Sequence, residues 1–252
     1  MNNKTKKINI VIPMAGSGKP FSQAGYTFPK PLIDVNGKSM IQLVAENLKP
    51  SLPHHFIFIC KKEDYNQFSL NEIFDRSVGE NYSVIQLTAP TQGAACTALT
   101  SADIINTDDE LIIANADQVV DIKIDDFIKD SRINNSEGTI MTFTTTHPKW
   151  SFVRMDKNKN IIEITEKKVI SNIATTGIYY FKSGKTFFES AVSMIEKDIR
   201  FKNDFYVSLV YNEMIMNNHK IKNWEIEPKL MHSMATPEDL MKYMMYLMKF
   251  QT

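Results

Sequence analysis

What this chain lacks narrows the field before any motif is read. Its 252 residues carry no net charge, with 29 Lys plus Arg against 29 Asp plus Glu. A nucleic-acid binder usually shows a basic face that neutralises phosphates, so that class is disfavoured. Only two cysteines occur, Cys60 and Cys96. They lie far apart and fit neither a disulfide framework nor a zinc spacing, which suits a reducing, cytoplasmic setting. No apolar run approaches the roughly 20 residues that a membrane span needs. The basic start followed by INIVIP looks superficially like a signal peptide. Pro13 cuts the apolar run short and no small-residue cleavage site follows, so the segment reads as a buried first strand. His54-His55 has no third ligand at a suitable spacing, so a zinc site is not expected. No long linker, low-complexity tract or internal repeat is visible, and one domain over 1–252 is expected.

What is present is an alternation. Residues 8–13 read as a β-branched strand that runs into glycines, and 40–48 as a short amphipathic helix with Ile41, Val44 and Leu48 on one face. FIFIC (56–60) is a second buried strand and 64–74 a helix; YSVIQL (82–87) is a third strand, and 94 to about 104 a helix. LIIAN (111–115) is a fourth strand. Strand and helix in turn imply a doubly wound, mostly parallel α/β sheet with crossover helices. After Lys123 the pattern changes to GTIMTFTTT, SFVRMD, NIIEITEK and TTGIYYF, strands with few helices between them. They imply a mixed or antiparallel extension of the same sheet. Helices return at 186–195, 204–216 and 237–249. In such sheets ligands bind outside the carboxyl ends of the parallel strands. The polar loops after strands one, three and four are therefore where a site is expected.

The first of these loops, in IPMAGSGKPFSQAGYTFPKPL, is not a Walker loop. Pro13 stands where the first glycine belongs and Pro20 where the magnesium-binding hydroxyl belongs. It is not a dinucleotide fingerprint either, because Phe21 takes the third glycine's place and Pro20 is followed by more glycine- and proline-containing chain. The physics of an anion cradle survives both failures. Gly16 and Gly18 permit positive φ and close backbone approach, and successive N–H groups can surround an anion. Lys19 and Lys30 bracket the segment with two charges. Pro29 and Pro31 stiffen the chain around Lys30, so its cation is held at lower entropic cost, as a fixed phosphate contact requires.

These residues resemble the sugar-phosphate type of nucleotidylyltransferase, whose signature is a strand, a Gly-x-Gly-rich loop and Pro-Lys-x-Leu. The resemblance runs along almost the whole chain. Gln92-Gly93-Ala94 resembles the family's base-recognition loop, and Asn115-Ala116-Asp117-Gln118 the segment whose aspartate binds magnesium. Glu166-Lys167 matches the pair that contacts the acceptor, and Thr176-Gly177-Ile178-Tyr179 the strand lining its pocket. Thr236-Pro237-Glu238-Asp239-Leu240 matches the start of the last helix. Each piece is weak alone; their order makes the signal specific. HPKWSF and EKKVISNIATTGIYYF further resemble capsule-biosynthesis members, one of which is a CTP:phosphoglutamine cytidylyltransferase.

The resemblance implies a Rossmann-like, GT-A-type sheet with an antiparallel acceptor-binding extension: residues 1–123 for the nucleotide and 124–252 for the acceptor. It implies NMP transfer from an NTP, with CTP first among candidates, to phosphoglutamine or a sugar 1-phosphate, with pyrophosphate released. Ala15, Gly16, Ser17 and Gly18 with Lys19 would hold the β- and γ-phosphates, and Lys30 the α-phosphate. Asp117 would ligate Mg²⁺, though it could also be a capping loop residue. Gln92 and Gly93 would read the base, unless Gln92 only closes a turn. Glu166 would meet an acceptor hydroxyl or ammonium and Lys167 or Lys168 its phosphate, with Thr176 and Gly177 lining the pocket. The rival for Glu166-Lys167 is a solvated hairpin end. Trp150 and Trp224 are core or pocket wall. Met241, Met244, Met245 and Met248 have helical spacing and suit core or a subunit contact, which leaves a homo-oligomer open. Asp108-Asp109-Glu110 reads as a solvated run before a strand.

Two positions depart from the family pattern. Pro20 stands where an arginine would clamp phosphate, and Ser233 where many relatives carry a second metal-binding aspartate. Asp204 is a candidate for that missing acid. These departures keep two other classes in play: a non-catalytic, nucleotide-binding regulatory relative, and a glycosyltransferase on a similar sheet. The latter usually shows an Asp-x-Asp motif, and none follows the fourth strand.

Overall fold

In the segment INIVIP, Ile8, Ile10 and Ile12 are buried on one side and Val11 on the other. The same alternation holds for Phe56, Phe58 and Cys60 against Ile57 and Ile59, and for Ile112 and Ala114 against Leu111 and Ile113. Strands apolar on both faces must be covered on both, so the sheet lies between two helical layers. A computed structural model describes residues 7–249 of the chain.

The strands are β1 (Ile8–Pro13), β2 (Asp34–Val35), β3 (Lys38–Ser39), β4 (His54–Lys61), β5 (Tyr82–Leu87), β6 (Glu110–Ala114), β7 (Gln118–Val120), β8 (Gly138–Thr144), β9 (Ser151–Met155), β10 (Ile161–Glu166), β11 (Ile173–Phe181), β12 (Ile221–Ile226) and β13 (Met231–Ser233). The helices are α1 (Lys19–Gln23), α2 (Met40–Asn47), α3 (Lys62–Gln67), α4 (Leu70–Val78), α5 (Ala94–Leu99), α6 (Ala102–Ile105), α7 (Ile124–Ile133), α8 (Gly184–Glu196), α9 (Val207–Met216) and α10 (Pro237–Met248). Nine strands form the main sheet. Its centre, β5-β4-β1-β6, is parallel. β11 then runs antiparallel to β6, and β8 antiparallel to β11. This is the α/β architecture expected.

The sheet forks at β11. The C-terminal half of this strand pairs with β6 through residues 178–181, whereas Ala174, in its N-terminal half, pairs with Phe152 of β9. The register with β8 shifts between Thr175 and Tyr179. β9 and β10 therefore splay away from the end of β6 and leave a cleft, which Asn115 and Asp117 of the loop after β6 help to line.

Several local expectations need correction. The helix expected over 64–74 is two, α3 and α4, separated at Ser69, whose φ of 47° is left-handed and cannot continue a helix. The one expected over 94–104 is likewise divided into α5 and α6. Helix α7 was not anticipated, although Ile124, Phe127 and Ile128 form its buried stripe. Nor was β12, which joins β8 in parallel and makes the extension mixed.

Glu110 is not part of a solvated acidic run; it is 4% exposed. Its carboxylate accepts from Arg132 Nη2 at 2.5 Å and from the Tyr180 hydroxyl at 2.8 Å. Arg132→Met would leave that charge buried with one neutral donor. We expect a loss of about 2 kcal/mol in urea denaturation, below the ~3–5 kcal/mol of a fully buried pair because Arg132 is partly exposed. An unchanged midpoint would show that the pair is structurally idle. On α10, Met241, Met245 and Met248 are exposed. Among the described residues no helix is long and apolar enough to cross a membrane.

Candidate active site

The glycine loop owes its path to Gly18, whose φ is 62°. A Cβ there would lie 3.3 Å from Lys30 Cβ, so the loop rests directly on the lysine stem. A short helix follows: Gly18 caps α1, with Pro20 in its first turn, where the missing N–H has no partner to lose. The helix has five residues, a single turn rather than the longer element of a dinucleotide fold. Pro20→Arg is expected to fold and to cost no more than about 1 kcal/mol, the usual gain from a compatible proline. Pyrophosphate release should hold or rise; unfolding in a thermal melt would assign Pro20 a structural task.

Lys30 begins a 3-10 turn that Pro29 caps and in which Pro31 is buried. Its ammonium donates to Asp117 Oδ2 at 2.5 Å and to the Ala235 carbonyl at 3.1 Å. It also lies 5.4 Å from the centroid of the buried Phe21 ring. Asp117 lies three residues beyond β6 and is held by its own carbonyl, which accepts from Met234 N–H at 2.7 Å. Lys30 and Asp117, 87 residues apart, thus converge, and both are about one-fifth exposed.

Around this pair lie two cavities. One, of about 320 Å³, is lined by Gly16, Ser17, Gly18, Lys19, Pro20, Lys30, Asn115 and Asp117, among others. The second, of about 220 Å³, fills the fork and is lined by Glu166, Lys167, Thr176 and Gly177, with Ser151, Trp150 and Tyr206. Asn115, Asp117 and Ala235 line both, so the cavities share a wall.

Gly177 makes the fork possible. Its φ is 89°, and a Cβ there would come within 2.3 Å of Asn115 Nδ2 and 2.5 Å of Gln118 Oε1. Its carbonyl accepts from Asn115 N–H at 3.0 Å, which fixes the loop after β6. Thr176 is buried, and its hydroxyl is committed to the Met141 carbonyl. Glu166 is buried too, at 6% exposure, so the solvated-hairpin reading fails for it. Its Oε2 accepts from the hydroxyls of Ser151 and Ser208. Burial pushes the Glu166 carboxyl up from its ordinary value, with the Ser151 hydrogen bond and Lys167 opposing. Lys167, with φ 51°, directs its ammonium to the Tyr206 hydroxyl at 3.2 Å. Lys168 does not line this cavity; it is exposed, and its carbonyl accepts from the Thr165 hydroxyl.

One residue escaped the sequence reading. Gln118 lines the fork cavity, is 3% exposed, and its Nε2 is buried without a hydrogen-bond partner. A buried, unpaired amide donor is costly and points to a group supplied from outside. Position next to Asp117 was its only sequence signal.

A third cavity, of about 620 Å³, sits at the ends of β1, β4 and β5, lined by Ala15, Ser17, Lys61, Asn66, Thr88 and Pro90, among others. Gln92 and Gly93 line none of these three cavities. They are drawn to the chain before α9, where the Gln92 carbonyl accepts from Phe205 N–H at 2.8 Å. A Cβ on Gly93 would meet Phe205 at 2.6 Å. Asp204 lies beside Gly93 and lines neither of the cavities that Asp117 lines.

Among the described residues no cluster of three or more His, Cys, Asp or Glu could hold a metal. Asp117 still fits a hard cation that takes few protein ligands. It offers carboxylate oxygen beside the Ala235 carbonyl, and a lysine ammonium already occupies the cationic position at 2.5 Å. Ser233 cannot add a carboxylate; its hydroxyl donates to Asp239 Oδ2 at 3.2 Å.

A family model described as nucleotidyl transferase matches residues 10–224. The chain is 24% identical over 179 residues to the bifunctional protein GlmU of Methanocaldococcus jannaschii. That match covers 69% of this chain and 40% of GlmU, so the chain spans less than half of that relative. Among solved structures, the nucleoside-diphosphate-sugar pyrophosphorylase of Vibrio cholerae RC9 has a TM-score of 0.81 at 22% identity, covering 94% of this chain and 99% of that one. The inositol-1-phosphate CTP transferase of T. maritima has a TM-score of 0.73 at 15% identity, covering 94% and 95%. These two share the fold.

Proposed function

The chain belongs to the nucleotidyl transferase family, and from that premise we propose that it transfers a nucleoside monophosphate from an NTP to a phosphorylated small acceptor, releasing pyrophosphate. The nucleotide proposed is CTP, the acceptor phosphoglutamine or a sugar 1-phosphate, and the setting capsule or surface polysaccharide synthesis. The observation that carries the reading is the shared wall. Two cavities meet at Asn115, Asp117 and Ala235, with the Lys30 ammonium at the junction. A phosphate in each would meet there.

In the reaction an oxygen of the acceptor phosphate attacks the α-phosphorus, that P–O bond forms, and the bridging bond to the β-phosphate breaks. A phosphate monoester has a second pKa near ~6 and is mostly dianionic at neutral pH, so no base is required. This agrees with the absence of histidine from the lining of both cavities. The work left to the protein is to bring two anions together and offset their charge. Lys19 and the amides of Ala15 to Gly18 hold the β- and γ-phosphates. Lys30 offsets charge at the α-phosphate. Lys167 takes the acceptor phosphate, while Glu166 accepts from an acceptor hydroxyl or ammonium and Gln118 donates to an acceptor oxygen, over a floor of Thr176 and Gly177. Mg²⁺, held by Asp117 with substrate phosphates and water, would supply Lewis-acid charge neutralisation. The base lies in the third cavity, against Ala15 and the 88–90 loop, which Gln92 and Gly93 steady through Phe205.

Pyrophosphate release measured with CTP, UTP, GTP and dTTP, each against phosphoglutamine and common sugar 1-phosphates, tests the proposal. Release with one pair is the expected result. Tight nucleotide binding without turnover would indicate a regulatory relative, and nucleotide-sugar hydrolysis without pyrophosphate a glycosyltransferase.

A further inference from the structure

Beyond the fork cavity lies a chamber of about 330 Å³ that no step above uses. It shares Lys149, Trp150 and Ser233 with the fork cavity, so a molecule in one can extend into the other. Its chemistry is one-sided. Lys149 is held by Asp239 Oδ1 at 2.6 Å, and its ammonium lies 4.8 Å from the Trp150 ring centroid. Two donor positions of that ammonium remain open, because the described residues supply no second partner. His147 Nδ1 accepts from the Lys149 backbone N–H at 3.2 Å, which leaves Nε2 as the ring nitrogen able to donate.

Among the described residues Asp239 is the only carboxylate lining the chamber, and it is already committed. It accepts from Lys149 and from Ser233 Oγ, and its backbone N–H is capped by Thr236 Oγ1 at 3.2 Å. The second lysine, Lys242, lines the chamber with its ammonium 2.6 Å from Glu238 on the solvent side. What the chamber offers an entering group is therefore hydrogen-bond donors on cations that already have one carboxylate partner each, beside the aromatic walls of Phe143 and Trp150, whose rings meet edge-on at 5.2 Å.

We propose that this chamber binds a second anionic group, of carboxylate class, carried by the same acceptor whose phosphate reacts in the fork, and that Lys149 recognises it. The inference rests on the transferase reading and narrows its acceptor to phosphorylated acids. An ammonium fixed at both ends, by Asp239 and by the indole face, is preorganised for such a group, so little is lost in ordering it.

The test is calorimetric titration of the full chain with a matched pair, 3-phosphoglycerate and glycerol 3-phosphate, which differ in a carboxylate against a hydroxymethyl group. The acid is expected to bind at least about tenfold tighter, as a charged hydrogen-bonded contact implies. Lys149→Met should bring the ratio near one. His147→Ala, at an exposed side chain, should reduce it about threefold and serves if Lys149→Met does not fold. Equal affinities in the wild type, no binding of either compound, or a preference that survives both substitutions would overturn the proposal. The readout is binding and not turnover. A preference found in a protein that never releases pyrophosphate would thus refute the transferase reading, whereas turnover without the preference would refute the chamber alone.

Discussion

Lys30→Ala should lower kcat/KM for pyrophosphate release by about 10³-fold, with the fold intact. The magnitude follows from what the ammonium does. It is the one lysine at the junction of the two cavities, held to Asp117 at 2.5 Å and Ala235 at 3.1 Å. Removing a preorganised donor from a site where charge develops typically costs ~10²–10³-fold, and removing a full cation from a phosphoryl transfer up to ~10⁵-fold. Stability should change by less than about 1 kcal/mol, because both partners retain solvent contact and such pairs are screened. Asp117→Ala should reach a comparable loss by removing the carboxylate that holds the cation. Because the two act as a unit, the double substitution should be little worse than the worse single one. Activity of Lys30→Ala within tenfold of the wild type would remove the basis for the assigned mechanism.

Gly177→Val should be the most damaging substitution for the fold around the site, with a loss of about 4 kcal/mol in urea denaturation. Two costs add. The φ of 89° is hostile to any side chain, and most to a β-branched one. The new Cβ would also overlap Asn115 and Gln118, at 2.3 and 2.5 Å, on the loop that carries Asp117. Gly16→Ala is the contrast. Nothing lies within 4 Å of a Cβ at Gly16, so its stability should stay within about 0.5 kcal/mol. Similar midpoints for the two variants would mean that the fork does not depend on Gly177.

The parallel half of the fold was legible because strands buried on both faces read as near-continuous apolar runs, as 56–60 and 111–114 do, and 8–13 with Asn9 its one polar residue. Lys30 was legible because two prolines flank it. Helix α7 was not, since its stripe of Ile124, Phe127 and Ile128 is interspersed with charged residues; nor was β12, whose half-exposed IKNWEI has the mixed composition of a strand near the sheet's edge. Glu110 was misjudged because Arg132 and Tyr180, which neutralise and bury it, come 22 and 70 residues later.

By itself the sequence determined the alternation of β1, β4, β5 and β6 with helices along the chain, and the glycine-rich and proline-flanked segments that carry Lys19 and Lys30, because these depend on local periodicity and on backbone restrictions within a few residues. Only the tertiary structure decided that Asp117 meets Lys30, that Glu166 is buried between two serines, that Gln118 Nε2 is left without a partner, that the Gln92 carbonyl is bound by Phe205 N–H, and that Lys149 lines both the fork cavity and the chamber beyond it. Each of these depends on segments tens of residues apart being joined by the fork in the sheet, and no local pattern encodes where a sheet divides.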